Sequence, residues 1–326
     1  MDSLIFAFNA VFPLIATAFI GYLIKKVGLV SRDFAKPLNK LVFRVLLPCL
    51  LFLNIYKIES FAAIDSGYVL FSVISVILIF FLAIPFSFLA TKENSRRSVI
   101  IQCVFRSNYA LIGIPLAESL FGTRGITVAT LLSAVAIPLF NILAIIALSV
   151  FGDGNRQTSV KKVLLGIIKN PLIIGVFTGL AALFVRALFV NFSISFRLSD
   201  LTPLFTVLDY LSRCATPLAL LTLGIQFEFA AVRELKREII LTTLARLVFV
   251  PAIFIFAAYF LFDFSGEHFA AFIALFATPV AVSSVPMAQE MNADSRLAGQ
   301  LVVWNTLFSA LTIFIFAFTL KSIGVF

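Results

Sequence analysis

The chain has 326 residues, of which 61% are hydrophobic and 13% charged, and its mean hydropathy is +1.10. That balance lies outside soluble globular domains. The net charge of +9 is spread over short loops and not gathered on one face, which argues against nucleic-acid binding.

Apolar runs long enough to cross a hydrocarbon core as helices fall at 3–24, 36–55, 68–90, 98–120, 125–151, 165–189, 203–227, 239–262, 268–290 and 297–320. The expected fold is an all-α integral membrane protein of ten transmembrane helices. The first run ends at Lys25-Lys26 without the basic start and small-x-small site of a cleaved signal peptide. The alternating ten-residue pattern of a β-barrel is absent.

Basic residues concentrate in the loops after odd-numbered spans, from Lys25 and Lys26 through Lys92, Arg96 and Arg97 to Arg296. The opposite side holds Lys57, Arg124, Arg186, Arg197 and Lys321. The positive-inside rule then places both termini on the non-cytoplasmic side of a cell membrane, with the 152–169 loop inside. Residues 159–169 read as a short amphipathic helix on the inner surface. His268 reads as interfacial, and Cys49, Cys103 and Cys214 as free buried thiols. With one His and no Walker loop, zinc-ligand spacing or nucleophile elbow, neither an enzyme nor a metal site is expected.

The chain repeats itself. Pro13-Leu14-Ile15 with Phe19 and Gly21 returns as Pro171-Leu172-Ile173 with Phe177 and Gly179. Arg44 before Pro48 returns as Arg213 before Pro217. Phe105 before Pro115 returns as Phe276 before Pro286, with Leu116-Ala117-Glu118 answered by Met287-Ala288-Gln289. Five spans per copy make the repeat inverted: residues 1–151 and 165–326, joined by a cytoplasmic linker at 152–164. Duplication can serve stability alone, but inverted repeats also give two related conformations around a midplane site.

Helices four and nine are least suited to facing lipid. Helix four carries Arg106, Ser107, Asn108, Tyr109, Gly113, Ile114 and Pro115; helix nine carries Thr278, Pro279, Ser283, Ser284, Val285 and Pro286. Proline removes a donor and clashes one turn back, and the backbone groups so released must be buried or line a wet cavity. Breaks are expected near 113–115 and 283–286, with the two helices crossing near mid-membrane. Broken helices at corresponding positions point to a transporter's binding site.

Arg106-Ser107-Asn108-Tyr109 through Gly113-Ile114-Pro115-Leu116 to Phe121-Gly122 resembles the fourth helix of the auxin efflux carrier family. Ala215-Thr216-Pro217-Leu218-Ala219-Leu220 with Leu223-Gly224, and Ala277-Thr278-Pro279-Val280-Ala281, resemble its seventh and ninth helices. The resemblance covers nearly the whole chain and implies a fold shared with bile-acid sodium symporters. Helices 1, 2, 6 and 7 would form a scaffold, which is also the expected homodimer contact. Helices 3–5 and 8–10 would form a mobile core with helices 4 and 9 crossed. The short central loop is closer to a bacterial-type carrier, hence a bacterial inner membrane, than to the plant members.

Half-helix N-termini favour anions, and the Arg106 fork suits a carboxylate. The expected partners are a small organic anion and membrane lipid. The plainer alternative has Arg106 snorkelling to the surface or pairing with an acid in the core. Arg44 and Arg213 read as structural. No cofactor is expected beyond coupling to Na+ or H+, for which Glu118, Gln289, Asn141, Asn305 and Arg246 are the candidate residues. The readings from other classes are an anion channel and a membrane sensor or receptor on a transporter fold.

Overall fold

The computed structural model describes residues 2–57, 66–151, 165, 168–262, 264 and 266–325, with side chains from residue 12 onward. The helices are α1 (Asp2–Lys26), α2 (Arg32–Tyr56), α3 (Ser66–Ala90), α4 (Asn94–Phe105), α5 (Tyr109–Phe151), α6 (Pro171–Asn191), α7 (Thr202–Gln226), α8 (Phe229–Glu234), α9 (Lys236–Phe260), α10 (His268–Ala277), α11 (Ser284–Glu290) and α12 (Ser295–Ser322). Among the described residues there is no strand, only one isolated bridge between Ser107 and Val280. The expected linker at 152–164 lies outside the described residues, as does nearly all of the expected surface helix.

Seven of these helices are long and apolar enough to cross a membrane: α2, α3, α5, α6, α7, α9 and α12. α1, whose side chains are described only from residue 12, is not among the seven, and the other two differences from ten lie in how the chain is interrupted. Helix nine is divided into the ten-residue α10 and the seven-residue α11. Helix four is divided between α4 and the start of α5, which then runs on through the fifth expected span. At 43 residues, α5 would be about 65 Å long if straight, twice the roughly 30 Å hydrocarbon core. It is not straight: the backbone leaves helical geometry at Gly122 (φ 63°, ψ −150°). α6 begins later than expected because Asn170 accepts a hydrogen bond from Leu172 N at 2.9 Å and Pro171 occupies the first position, a stop-start signal that hydropathy does not contain.

The prolines act differently from the expected breaks. Four turns are widened to π geometry: Val42–Leu46, Tyr109–Gly113, Ala245–Phe249 and Ile273–Ala277. Each ends two residues before a proline, namely Pro48, Pro115, Pro251 and Pro279. A proline ring collides with the carbonyl four residues earlier, and in every case that carbonyl lies inside the wide turn. At Pro48, Pro115 and Pro251 the extra residue per turn relieves the clash without ending the helix; at Pro279 the helix ends with the wide turn. Pro115 therefore sits inside α5. Pro286 sits in the first turn of α11, where no N–H is required.

The helices 1, 2, 6 and 7 of the sequence pack in two crossed pairs. α1 lies against α7 and α6 against α2, each at glycine contacts. A Cβ on Gly21 would come 2.2 Å from Leu221 O, and one on Gly224 1.8 Å from Ala18 O. On the other pair, Gly175 faces Pro48 O at 2.7 Å and Gly179 faces Phe52 O at 3.0 Å. Small residues are what let membrane helices approach to backbone contact. Cys103 is buried and Cys49 half-buried, but Cys214 is exposed; α7 packs on one face only, and Cys214 lies on the other.

Adding a methyl at the α1–α7 contact forces backbones apart. Gly21→Ala and Gly224→Ala should each destabilise the protein by about 1–3 kcal/mol, read as a lowered unfolding midpoint in detergent. Gly299→Ala is the control: its Cβ meets only a Leu223 methyl, at 3.2 Å, and its midpoint should stay at or above that of the parent.

Candidate functional site

Helix four breaks at 106–108 and helix nine at 278–283, in both cases ahead of the expected positions. Arg106 (φ −88°, ψ 112°) and Thr278 (φ −81°, ψ 154°) are extended where a helix would continue. The two extended segments meet. Asn108 N donates to Pro279 O at 2.7 Å, and Ser107 bridges to Val280. Just beyond, Gly113 abuts Ala274, with a virtual Cβ 3.0 Å from Ala274 O. Gly113, Ile114 and Pro115 thus form the contact and the wide turn beside the crossing, and not the break itself.

Two buried arginines flank the crossing. Arg246 on α9 is 0% exposed and spends its donors on backbone. Nε and Nη2 donate to Thr278 O at 3.0 and 2.7 Å, Nη2 to Leu275 O at 3.0 Å, and Nη1 to Val104 O at 3.3 Å. These carbonyls belong to the C-terminal ends of α4 and α10, which have no intrahelical partners and carry partial negative charge. Arg246 is their shared cap.

Arg106 is 4% exposed and has no carboxylate partner among the described residues. Nη2 donates to Asn141 Oδ1 at 2.8 Å and to Ser283 Oγ at 2.9 Å, and Nη1 touches the Met287 thioether. Nε has no oxygen acceptor among the described residues. Asn141 is itself held by Nδ2 donating to Ile137 O at 2.8 Å, so it orients Arg106. Ser107 Oγ and Asn108 Nδ2 are buried without a partner among the described residues. Tyr109 is occupied, its hydroxyl donating to Ala129 O at 2.8 Å.

Arg106, Ser107, Asn108, Tyr109 and Ser283 line a cavity of about 70 Å³ together with Thr216 and with residues the sequence did not point to, among them Leu50, Leu51, Asn54 and Phe140. One helical turn away, Leu223 and Val285 line a larger cavity of about 680 Å³. It opens at the basic end, where α2, α4 and α12 begin. Thr278, Ser284 and Pro286 are buried behind the crossing; Thr278 Oγ1 donates to Ala274 O at 2.8 Å, and Ser284 O accepts from Gln102.

The coupling candidates are not gathered at one point. Asn141 serves Arg106, and Arg246 caps helix ends. Asn305 Nδ2 donates to Thr243 Oγ1 at 3.1 Å on the α9–α12 contact. Gln289 lines the larger cavity, where Asn39 and Gln226 donate to its carbonyl. Glu118 is exposed on α5. Among the described residues no group of His, Cys, Asp or Glu has the makings of a metal site. Arg44, Arg213 and Glu290 are ion-paired, Arg44 with Glu290 at 3.5 Å and Arg213 with Asp209. His268 stacks on Tyr68 at 5.2 Å.

A multi-pass helical membrane protein with a cavity at the meeting of two interrupted helices is a transporter-class architecture. A family model described as membrane transport protein matches residues 6–317. The chain belongs to that family, the one that includes the auxin efflux carriers. It is 22% identical over 316 residues to an uncharacterized transporter of Methanothermobacter thermautotrophicus, covering 94% of this chain and 95% of that one. It is 24% identical over 302 residues to an uncharacterized transporter of Methanocaldococcus jannaschii, covering 90% and 92%.

The two arginines should separate cleanly on substitution. Arg246→Met leaves buried carbonyls at two helix ends unpaired, at about 1–3 kcal/mol for each group, and should lower the unfolding midpoint steeply. Arg106→Gln retains hydrogen-bonding groups and adds no buried charge, so its midpoint should stay near that of the parent.

Proposed function

We propose that this membrane transporter carries a small organic anion, a carboxylate, by elevator-type alternating access. The observation that carries the reading is Arg106. A guanidinium at this depth is expensive, and here it is held by neutral acceptors with its Nε unused. Beside it Ser107 and Asn108 present two unpartnered buried groups, and the N-terminus of α5 adds partial positive charge. A carboxylate fits that set as acceptor for Nε and for the Ser107 and Asn108 donors, and completes the guanidinium fork where it displaces Ser283 from Nη2.

The larger cavity supplies the route from the basic end, which the charge distribution makes cytoplasmic. The ten-span reading takes α1 as the first crossing, counts α5 twice across Gly122, and counts α4 with the start of α5, and α10 with α11, as one crossing each. The crossed pairing of α1 with α7 and α6 with α2 supports two inverted copies, 1–151 and 165–326, since helix one answers helix six and helix two answers helix seven. α1, α2, α6 and α7 then form the scaffold, and the remaining helices form the core that moves.

Arg246 bears on coupling. It already supplies positive charge to the negative helix ends at the crossing, so transport of a monoanion needs no cation there. The membrane potential, at about 2.3 kcal/mol per charge per 100 mV, would drive such an anion outward.

A thermal-shift screen against mono- and dicarboxylates, with and without sodium, identifies the acid; binding to Arg106 variants then tests the site. Charge-assisted hydrogen bonds are worth about 1.5–3 kcal/mol, so Arg106→Gln should weaken binding about ten- to a hundredfold. Asn108→Ala should weaken it by less, a neutral bond being worth about 1 kcal/mol. Arg106→Lys keeps the charge and loses the fork, and should fall between. Unchanged affinity in Arg106→Gln would make Arg106 structural.

A further inference from the structure

The repeat relates residues at the rim of the scaffold as well as those at the crossing. At an offset of 169, Arg44 answers Arg213, Lys57 answers Gln226 and Lys40 answers Asp209; at 171, Glu118 answers Gln289. At the basic end these positions form a set of contacts between scaffold and core. Gln226 Nε2, at the end of α7, donates to Gln289 Oε1 on α11 at 2.8 Å. Asn39 on α2 donates to the same oxygen, and Arg44 on α2 reaches Glu290 on α11 at 3.5 Å.

At the opposite end the corresponding groups are apart. Lys57 Nζ lies 3.3 Å from Asp209 Oδ1, and Arg213 is also on Asp209, so both bases stay within the scaffold. Glu118, the core partner, is exposed and makes no hydrogen bond or ion pair with any described residue. Arg213 stands halfway along the 25-residue α7 with 78% of its side chain exposed. Charge in the middle of an apolar helix ordinarily faces a partner or water, yet only a same-helix carboxylate attends it here.

We infer that Glu118, Lys57 and Arg213 form a second latch, closed in the conformation opposite to this one. Inverted repeats exchange their geometries between the two conformations. As Gln289 leaves Gln226 and Asn39, Glu118 moves onto Lys57, with Arg213 alongside. The latch at the basic end is built around neutral amides, and its counterpart is an ion pair. The inference rests on the alternating-access and repeat readings above.

The test follows conformation by the reactivity of a thiol introduced as Ser295→Cys, which lines the larger cavity, with Cys49 and Cys214 replaced by alanine. Labelling by a water-soluble maleimide is timed on the purified protein. Gln289→Ala loosens the present latch and should slow labelling. Adding Glu118→Gln removes the opposing latch and should restore the rate about two- to fivefold, the range for a solvent-accessible ion pair. Adding Lys57→Gln to Gln289→Ala should restore the rate in the same way, and combining it with Glu118→Gln should add little further, which a purely structural role for Glu118 would not produce. If Gln289→Ala shifts labelling but Glu118→Gln and Lys57→Gln do not restore it, or their effects simply add, the second latch is refuted and alternating access stands. If Gln289→Ala leaves the rate unchanged, alternating access at this cavity fails, and the latch with it.

Discussion

A helix interrupted inside a membrane must have its freed backbone groups paired by protein or by a wet cavity, because lipid offers them no hydrogen bonds. Everything at the centre of this molecule follows from that constraint. Two interrupted helices solve it jointly. Their extended segments share the Asn108–Pro279 hydrogen bond and the Ser107–Val280 bridge. Their C-terminal carbonyls share Arg246. Neither break is satisfied without the other helix, so the crossing behaves as one unit and carries its side chains as a rigid group.

Arg246 and Arg106 have the same chemistry and opposite surroundings. Arg246 meets carbonyl oxygens on each of its nitrogens and is enclosed at 0% exposure. Arg106 meets an amide oxygen, a hydroxyl and a thioether, at the wall of a cavity. The difference lies in helix polarity. On the Arg246 side the chain ends present carbonyls; on the Arg106 side α5 begins, and its first N–H groups repel a cation and attract an anion. One guanidinium is consumed by the fold, and the other faces the cavity.

Around that unit the scaffold is held by backbone proximity and the rim by polar contacts. The glycine contacts of α1 with α7 and α6 with α2 leave little room for sliding within the scaffold. The Gln226–Gln289 and Arg44–Glu290 contacts of α7 and α2 with α11 lie at a part-exposed rim, the kind of interaction that exchanges at small energetic expense.

Membrane class, the positions of most apolar helices and the identity of the interrupted helices were legible in the sequence, because hydropathy, proline content and polar clustering are local properties. The same reading located Arg106, Ser107, Asn108 and Ser283 at the cavity. It misplaced the breaks, since a proline in a sequence does not say whether its clash will be relieved by a wide turn, as at Pro115, or absorbed in a first turn, as at Pro286. The partners were beyond it. Asn141 lies 35 residues from Arg106 and Ser283 lies 177 away, and nothing local in Arg246 distinguishes a cap on two helix ends from a ligand-binding charge. Which arginine is structural and which faces the cavity depends on the direction in which neighbouring helices run, and that is settled only when the two halves pack against each other.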